Sequence, residues 1–154
     1  MFTASELFDL AVQVEVNGER FYRYAMRRVK GDTLKNLLGW LADQELLHQR
    51  AFMEIKEQTA RGAKAASSSS SLTQQALRSA MGRHAFSLDE LQIDTIQNEE
   101  EIMQAALLFE EDTIMFFEFI ARFVSDPSAS STLEKIRTEE FNHKQLLMEK
   151  ISGI

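Results

Sequence analysis

Apolar positions along this chain recur at spacings of three and four rather than two, with long stretches free of glycine and a single proline at position 127. That period predicts helices throughout, and the punctuation divides them. A first helix is expected from about residue 4 to 29, with Thr3 as cap and Glu6 reaching back to it, and Gly31 ending it. Asp32 is the expected N-cap of a second helix, about 32–60, stopped by Arg61 and Gly62. Asn98 with Glu101 should cap a third, about 98–124, and Asp126 followed by Pro127 a fourth, about 127–150. Connections of a few residues make helices one and two antiparallel neighbours, and three and four likewise. Between the pairs, residues 62–97 form a long crossover. It holds a serine run, Ser67 to Ser71, that reads as linker, helical spacing over Leu72 to Met81, and a second capping pattern in Ser87 and Glu90. The expectation is all-α, one domain over residues 1–154, made of two helical hairpins.

Superimposed on this period is a duplication of chemistry. Glu15, Glu45 and His48 recur as Glu110, Glu140 and His143, every member displaced by 95 residues. Only three histidines exist, and two of them stand in these Glu-x-x-His positions. Residues i and i+3 share a helix face, so each Glu-x-x-His presents a carboxylate and an imidazole together. One copy alone is ordinarily a solvated helical ion pair. With about one residue in nine a glutamate, four specified positions all being Glu by chance is on the order of 10⁻⁴. Four Glu and two His from four helices is the ligand set of carboxylate-bridged dimetal bundles. The register agrees. The midpoint of Glu15 and Glu45 is residue 30, beside the Gly31 turn, and that of Glu110 and Glu140 is residue 125, beside the turn at Ser125 to Pro127. Each hairpin therefore sets a Glu level with a Glu-x-x-His roughly 22 Å from its loop.

Composition narrows the partners. The net charge of −7 argues against nucleic acid or an anionic membrane surface and favours cations. No cysteine is present, which excludes a disulfide, a zinc ribbon and a rubredoxin-type iron centre within the chain, so any electron donor must be external, a separate protein. The first ten residues lack the basic start and apolar run of a secretory signal, and no stretch approaches the ~18 apolar residues of a membrane span. The expectation is a soluble, cytoplasmic protein.

Four segments carry a resemblance: EVNGERFY at Glu15–Tyr22, ADQELLH at Ala42–His48, EEDTIMFF at Glu110–Phe117 and EEFNH at Glu139–His143. With them the chain resembles the rubrerythrin branch of the ferritin-like di-iron superfamily, whose bundles join two hairpins by one long crossover. The resemblance implies that Glu15 and Glu110 are terminal ligands, that Glu45 and Glu140 bridge, and that His48 and His143 each hold one metal. It implies two iron ions, with manganese or zinc as alternative occupants. It also implies that Glu139 orients His48 and Gln44 orients His143 from behind, and that the chain pairs as a homodimer or a higher homo-oligomer. Tyr22 is either a hydrogen-bond donor near the site or a structural hydroxyl, and Glu19, one turn after Glu15, is either a spare ligand or a half-exposed carboxylate. His84 has no acidic partner at helical spacing and falls outside the site. The sequence departs from the family pattern twice: Thr113 stands where an extra carboxylate is expected, and Phe117 where a second tyrosine is. The expected function is reduction of hydrogen peroxide at the dimetal centre. Alternatives are ferroxidase activity with dioxygen feeding iron storage, or a non-catalytic, metal-stabilised interaction or iron-sensing protein.

Overall fold

A computed structural model of the chain describes residues 3–62 and 96–153, apart from the side chains of residues 60–62. The serine run, the two crossover patterns after it and His84 lie outside the described residues. Four helices make up the rest: α1, Ala4–Arg28; α2, Asp32–Gly62; α3, Glu99–Ala121; α4, Pro127–Ile151. They form a four-helix bundle of ferritin-like fold, two antiparallel hairpins joined by the long crossover.

Side-chain chemistry starts three of the helices. The Thr3 hydroxyl accepts from the Glu6 amide at 3.1 Å, Asn98 Oδ1 from the Glu101 amide at 2.9 Å, and Asp126 Oδ2 from the Ala129 amide at 2.9 Å, each satisfying an N–H that the helix leaves open. Pro127 takes the first turn, where its missing N–H costs nothing. The turn between α1 and α2 differs from expectation. Asp32 is already in the first turn of α2 rather than capping it; the Gly31 carbonyl accepts from the Lys35 amide at 2.9 Å. Gly31 is not left-handed, and α1 ends because Val29 turns extended (φ −87°, ψ 151°) with its side chain buried. Burial of that side chain, not glycine's freedom, stops the helix. α3 also ends sooner, at Ala121: the amides of Phe123 and Val124 bond three residues back, to Ile120 and Ala121, so the chain tightens into a turn before Asp126.

The start of α3 meets the end of α1, where Glu99 Oε1 accepts from the Lys30 amide at 2.9 Å, so α1 and α3 run antiparallel. Two apolar blocks fill the bundle. One gathers Leu7, Leu10 and Val14 with Phe52, Phe109, Phe116 and Phe117; the other gathers Phe21, Tyr22, Leu38, Leu41, Ile102 and Leu147. Each such phenylalanine or leucine contributes roughly 1.5–3 kcal/mol by leaving water. That burial offsets the polar layer set between the blocks.

Candidate metal centre

Six side chains enter that layer, one or two from each helix. Glu15 comes from α1, Glu45 and His48 from α2, Glu110 from α3, and Glu140 and His143 from α4; all four carboxylates are fully buried and both imidazoles nearly so. Their ligand atoms form two overlapping groups, Glu15–Glu45–His48–Glu140 and Glu45–Glu110–Glu140–His143, in each of which the atoms lie within 4.8 Å of one another. Glu45 and Glu140 belong to both groups, which is where carboxylates shared between two ions would stand. Two clusters with a shared pair are consistent with a dimetal-carboxylate site.

Both imidazoles turn Nδ1 inward. His48 Nδ1 lies 2.8 Å from Glu140 Oε1 and 3.4 Å from Glu15 Oε2; His143 Nδ1 lies 3.2 Å from Glu140 Oε2 and 3.9 Å from Glu110 Oε1. The rings stack at 5.8 Å with an interplanar angle of 14°. Behind His48, Glu139 Oε1 stands 3.8 Å from Nε2, too far for a hydrogen bond but on the side from which a carboxylate would orient the ring. The Trp40 ring packs nearly perpendicular to the His143 ring at 5.3 Å; the half-buried Gln44 makes no hydrogen bond to His143. The Tyr22 hydroxyl donates to Glu110 Oε1 at 2.6 Å, tying the far end of α1's inner face to α3. Glu19 points elsewhere: it accepts from the buried Gln49 amide at 3.0 Å and pairs with Arg23 at 3.3 Å.

Whether the site suits metal ions is tested by what its polar atoms lack. Both oxygens of Glu15, both of Glu45, Oε2 of Glu110 and Nε2 of His48 are buried without a hydrogen-bond partner. Such groups are costly to bury unless a cation or a proton satisfies them. Without a cation the chain answers with protons. Burial first, and then the charge of Glu140, push the carboxyls of Glu15, Glu45 and Glu110 well above the ordinary range. At Glu140 desolvation acts the same way, yet the hydrogen bonds of Glu110, His143 and His48 outweigh it and hold the carboxyl well below that range. Desolvation opposes the charge on His48, but its bond to Glu140 and the nearby carboxylates raise it to about 8. The donor set of four carboxylates and two inward imidazoles fits two cations.

Three neighbours of the site carry no signal in the spacing argument. Gly18 sits one turn after Glu15, and a Cβ there would lie 2.9 Å from Phe109 Cε1 and 3.1 Å from the Glu45 carboxyl carbon. A mid-helix glycine costs about 1 kcal/mol relative to alanine, so its presence was itself a hint of close approach. Gln49 donates both to Glu19 and, at 3.3 Å, to the Glu15 carbonyl, and Trp40 covers His143. Neither has a periodic signature. No helix among the described residues is long and apolar enough to cross a membrane.

Comparison with known proteins agrees with this geometry. The chain matches the Rubrerythrin family over residues 6–151 and belongs to that family. Nothing among curated proteins matches it. Two solved structures share its fold. One is a hypothetical protein from Pyrococcus furiosus, 18% identical, with 98% of this chain and 89% of that chain covered and a TM-score of 0.73. The other is a Thermotoga maritima protein provisionally described as a ferritin-like diiron-carboxylate protein, 22% identical, with 98% and 95% covered and a TM-score of 0.71.

Proposed function

We propose that this member of the rubrerythrin family holds two iron ions between its hairpins and reduces hydrogen peroxide there, drawing electrons from an external donor protein. The observation that carries the reading is the pair of overlapping Glu/His groups with seven buried, unpartnered polar atoms in and beside them. Glu15 and His48 would hold one ion, Glu110 and His143 the other, and Glu45 and Glu140 would span both. Two ferrous ions would supply together the two electrons that conversion of one peroxide and two protons to two waters consumes.

The chain's own part is positioning and proton handling. The two apolar blocks keep bulk water from the polar layer, and Tyr22, held at 2.6 Å, fixes the Glu110 carboxylate and keeps its own proton because burial and the Glu110 charge both oppose ionisation. Glu15, Glu45 and Glu110, whose carboxyls burial raises well above the ordinary range, must be ionised to hold cations, which links metal affinity to pH. Because the chain has no cysteine, repeated turnover needs a separate donor. A homodimer or a higher homo-oligomer in the cytoplasm is part of the same proposal.

The buried Thr113, in place of the family's extra carboxylate, favours a second reading: ferroxidase activity, with ferrous ions as substrate and dioxygen as oxidant. Anaerobic loading with ferrous iron followed by stopped-flow mixing separates the two. Faster oxidation by peroxide, with turnover only when a reductant is supplied, supports the peroxidase. Faster oxidation by dioxygen with accumulation of many ferric ions per chain supports the ferroxidase, and failure to bind two ions overturns both.

A further inference from the structure

Thr113 is fully buried, and its hydroxyl has no hydrogen-bond partner. A threonine inside a helix usually satisfies its hydroxyl on the carbonyl one turn back, as Thr59 does on Ile55 and Thr138 on Glu134, both solvent-accessible positions. Thr113 forgoes that bond at a fully buried position. Its position says what it faces. It follows Glu110 by three residues and so shares that ligand's helix face. The 95-residue repeat also equates it with Gly18. A Cβ at Gly18 would lie 3.1 Å from the Glu45 carboxyl carbon, and by the 95-residue repeat position 113 on α3 is the counterpart of that place, with Glu140 the counterpart of Glu45. One hairpin leaves this place without a side chain; the other fills it with a hydroxyl.

We infer that the Thr113 hydroxyl contacts the substrate: it hydrogen-bonds a small oxygen or nitrogen ligand, peroxide in the reaction, seated beside Glu110 and Glu140 in the α3–α4 half of the centre. The inference rests on the dimetal reading above. A hydroxyl can donate to a bound anion without adding charge of the same sign. It also makes the two halves of a duplicated site unequal, so that a small ligand has one preferred end.

Azide is the probe, titrated into the oxidised, iron-loaded protein and followed by its visible charge-transfer absorption. Thr113→Val, which keeps the shape and removes the hydroxyl, should weaken azide roughly 5-fold, the worth of one hydrogen bond, while Thr113→Ser stays within about 2-fold of wild type. Iron content should be unchanged in both. In the metal-free protein Thr113→Val should melt a few degrees higher, since an orphaned buried hydroxyl is gone. Equal azide affinity in wild type and Thr113→Val overturns the proposal, as does loss of iron from Thr113→Val, which would make the residue a support of the metals instead. Thr113→Ala carries the same expectation should the valine fail to fold. Wild-type iron content reports separately on the dimetal reading: two irons with azide indifferent to residue 113 sinks this inference alone, and no iron sinks both.

Discussion

The two hairpins bring the same three ligands to the centre and surround them differently. On α1–α2, Glu15 is followed by Gly18 and Tyr22, and His48 has a carboxylate, Glu139, behind it; on α3–α4, Glu110 is followed by Thr113 and Phe117, and His143 has the Trp40 ring packed nearly perpendicular to its own. Tyr22 crosses over to Glu110, so the one tyrosine of the pattern serves the other hairpin's ligand. The ligands must match because each ion needs the same donors. Their supports are free to diverge, and the divergence gives the Glu110 half two hydroxyls, Tyr22 from the other hairpin and Thr113 on its own helix, with no counterpart at Glu15.

The largest expected effect tests whether the halves are equal as metal holders. His48→Ala and His143→Ala should each remove most of one of the two bound ions by elemental analysis, because each imidazole serves a different group. Unchanged metal in both variants would dismiss the centre. In the metal-free protein the halves should part: His48→Ala deprives ionised Glu140 of a 2.8 Å partner and should cost about 2 kcal/mol in urea unfolding, more than His143→Ala at 3.2 Å.

The next effect is of pH. Glu15, Glu45 and Glu110 have raised values in the fold, so what they contribute is complete below the ordinary carboxylate value and is lost as pH rises through the folded one. His48 has the same sign, complete below its ordinary 6.5 and lost through about 8. Glu140 has the opposite sign, contributing above the ordinary value and failing as pH falls through its depressed one. The metal-free chain should therefore unfold at lower urea at pH 9 than at pH 6. Metal addition at pH 7 in weak buffer should release protons; a flat urea midpoint and no acidification would mean the carboxylates are already ionised.

Gly18→Ala and Tyr22→Phe sharpen the contrast between supports. Alanine at 18 meets Phe109 and the Glu45 carboxyl and should cost about 1–3 kcal/mol, although the matching position on α3 holds a threonine. A loss no larger than at an exposed helix site would show that Phe109 gives way. Tyr22→Phe should cost about 1 kcal/mol and loosen metal binding at the Glu110 end, read as faster loss to a chelator. Phe117→Tyr, at the matching position, should not restore it.

Much of this was legible before any fold was known, for a reason particular to helices. A three-residue spacing puts two side chains on one face, and equal distances from a turn put two helices' residues level, so Glu15, Glu45, His48, Glu110, Glu140 and His143 could be brought together on paper. The caps at Thr3, Asn98 and Asp126 were equally readable, being contacts within three residues. Gly31 was misread as a helix stop because its role depended on where Val29 finds its core.

Periodicity is local, and the sequence by itself determined what is local: four helices, their pairing into hairpins, and a doubled Glu/His ligand pattern at one level of the bundle. Only the tertiary structure decided how each helix is rotated about its axis against its neighbours. That rotation sets Tyr22 on Glu110, Gly18 against Glu45, Trp40 on His143, Glu19 away from the ligands on Gln49, and the Thr113 hydroxyl without a partner. These contacts cross between helices, and packing of the apolar blocks, not spacing along the chain, fixes the distances across them.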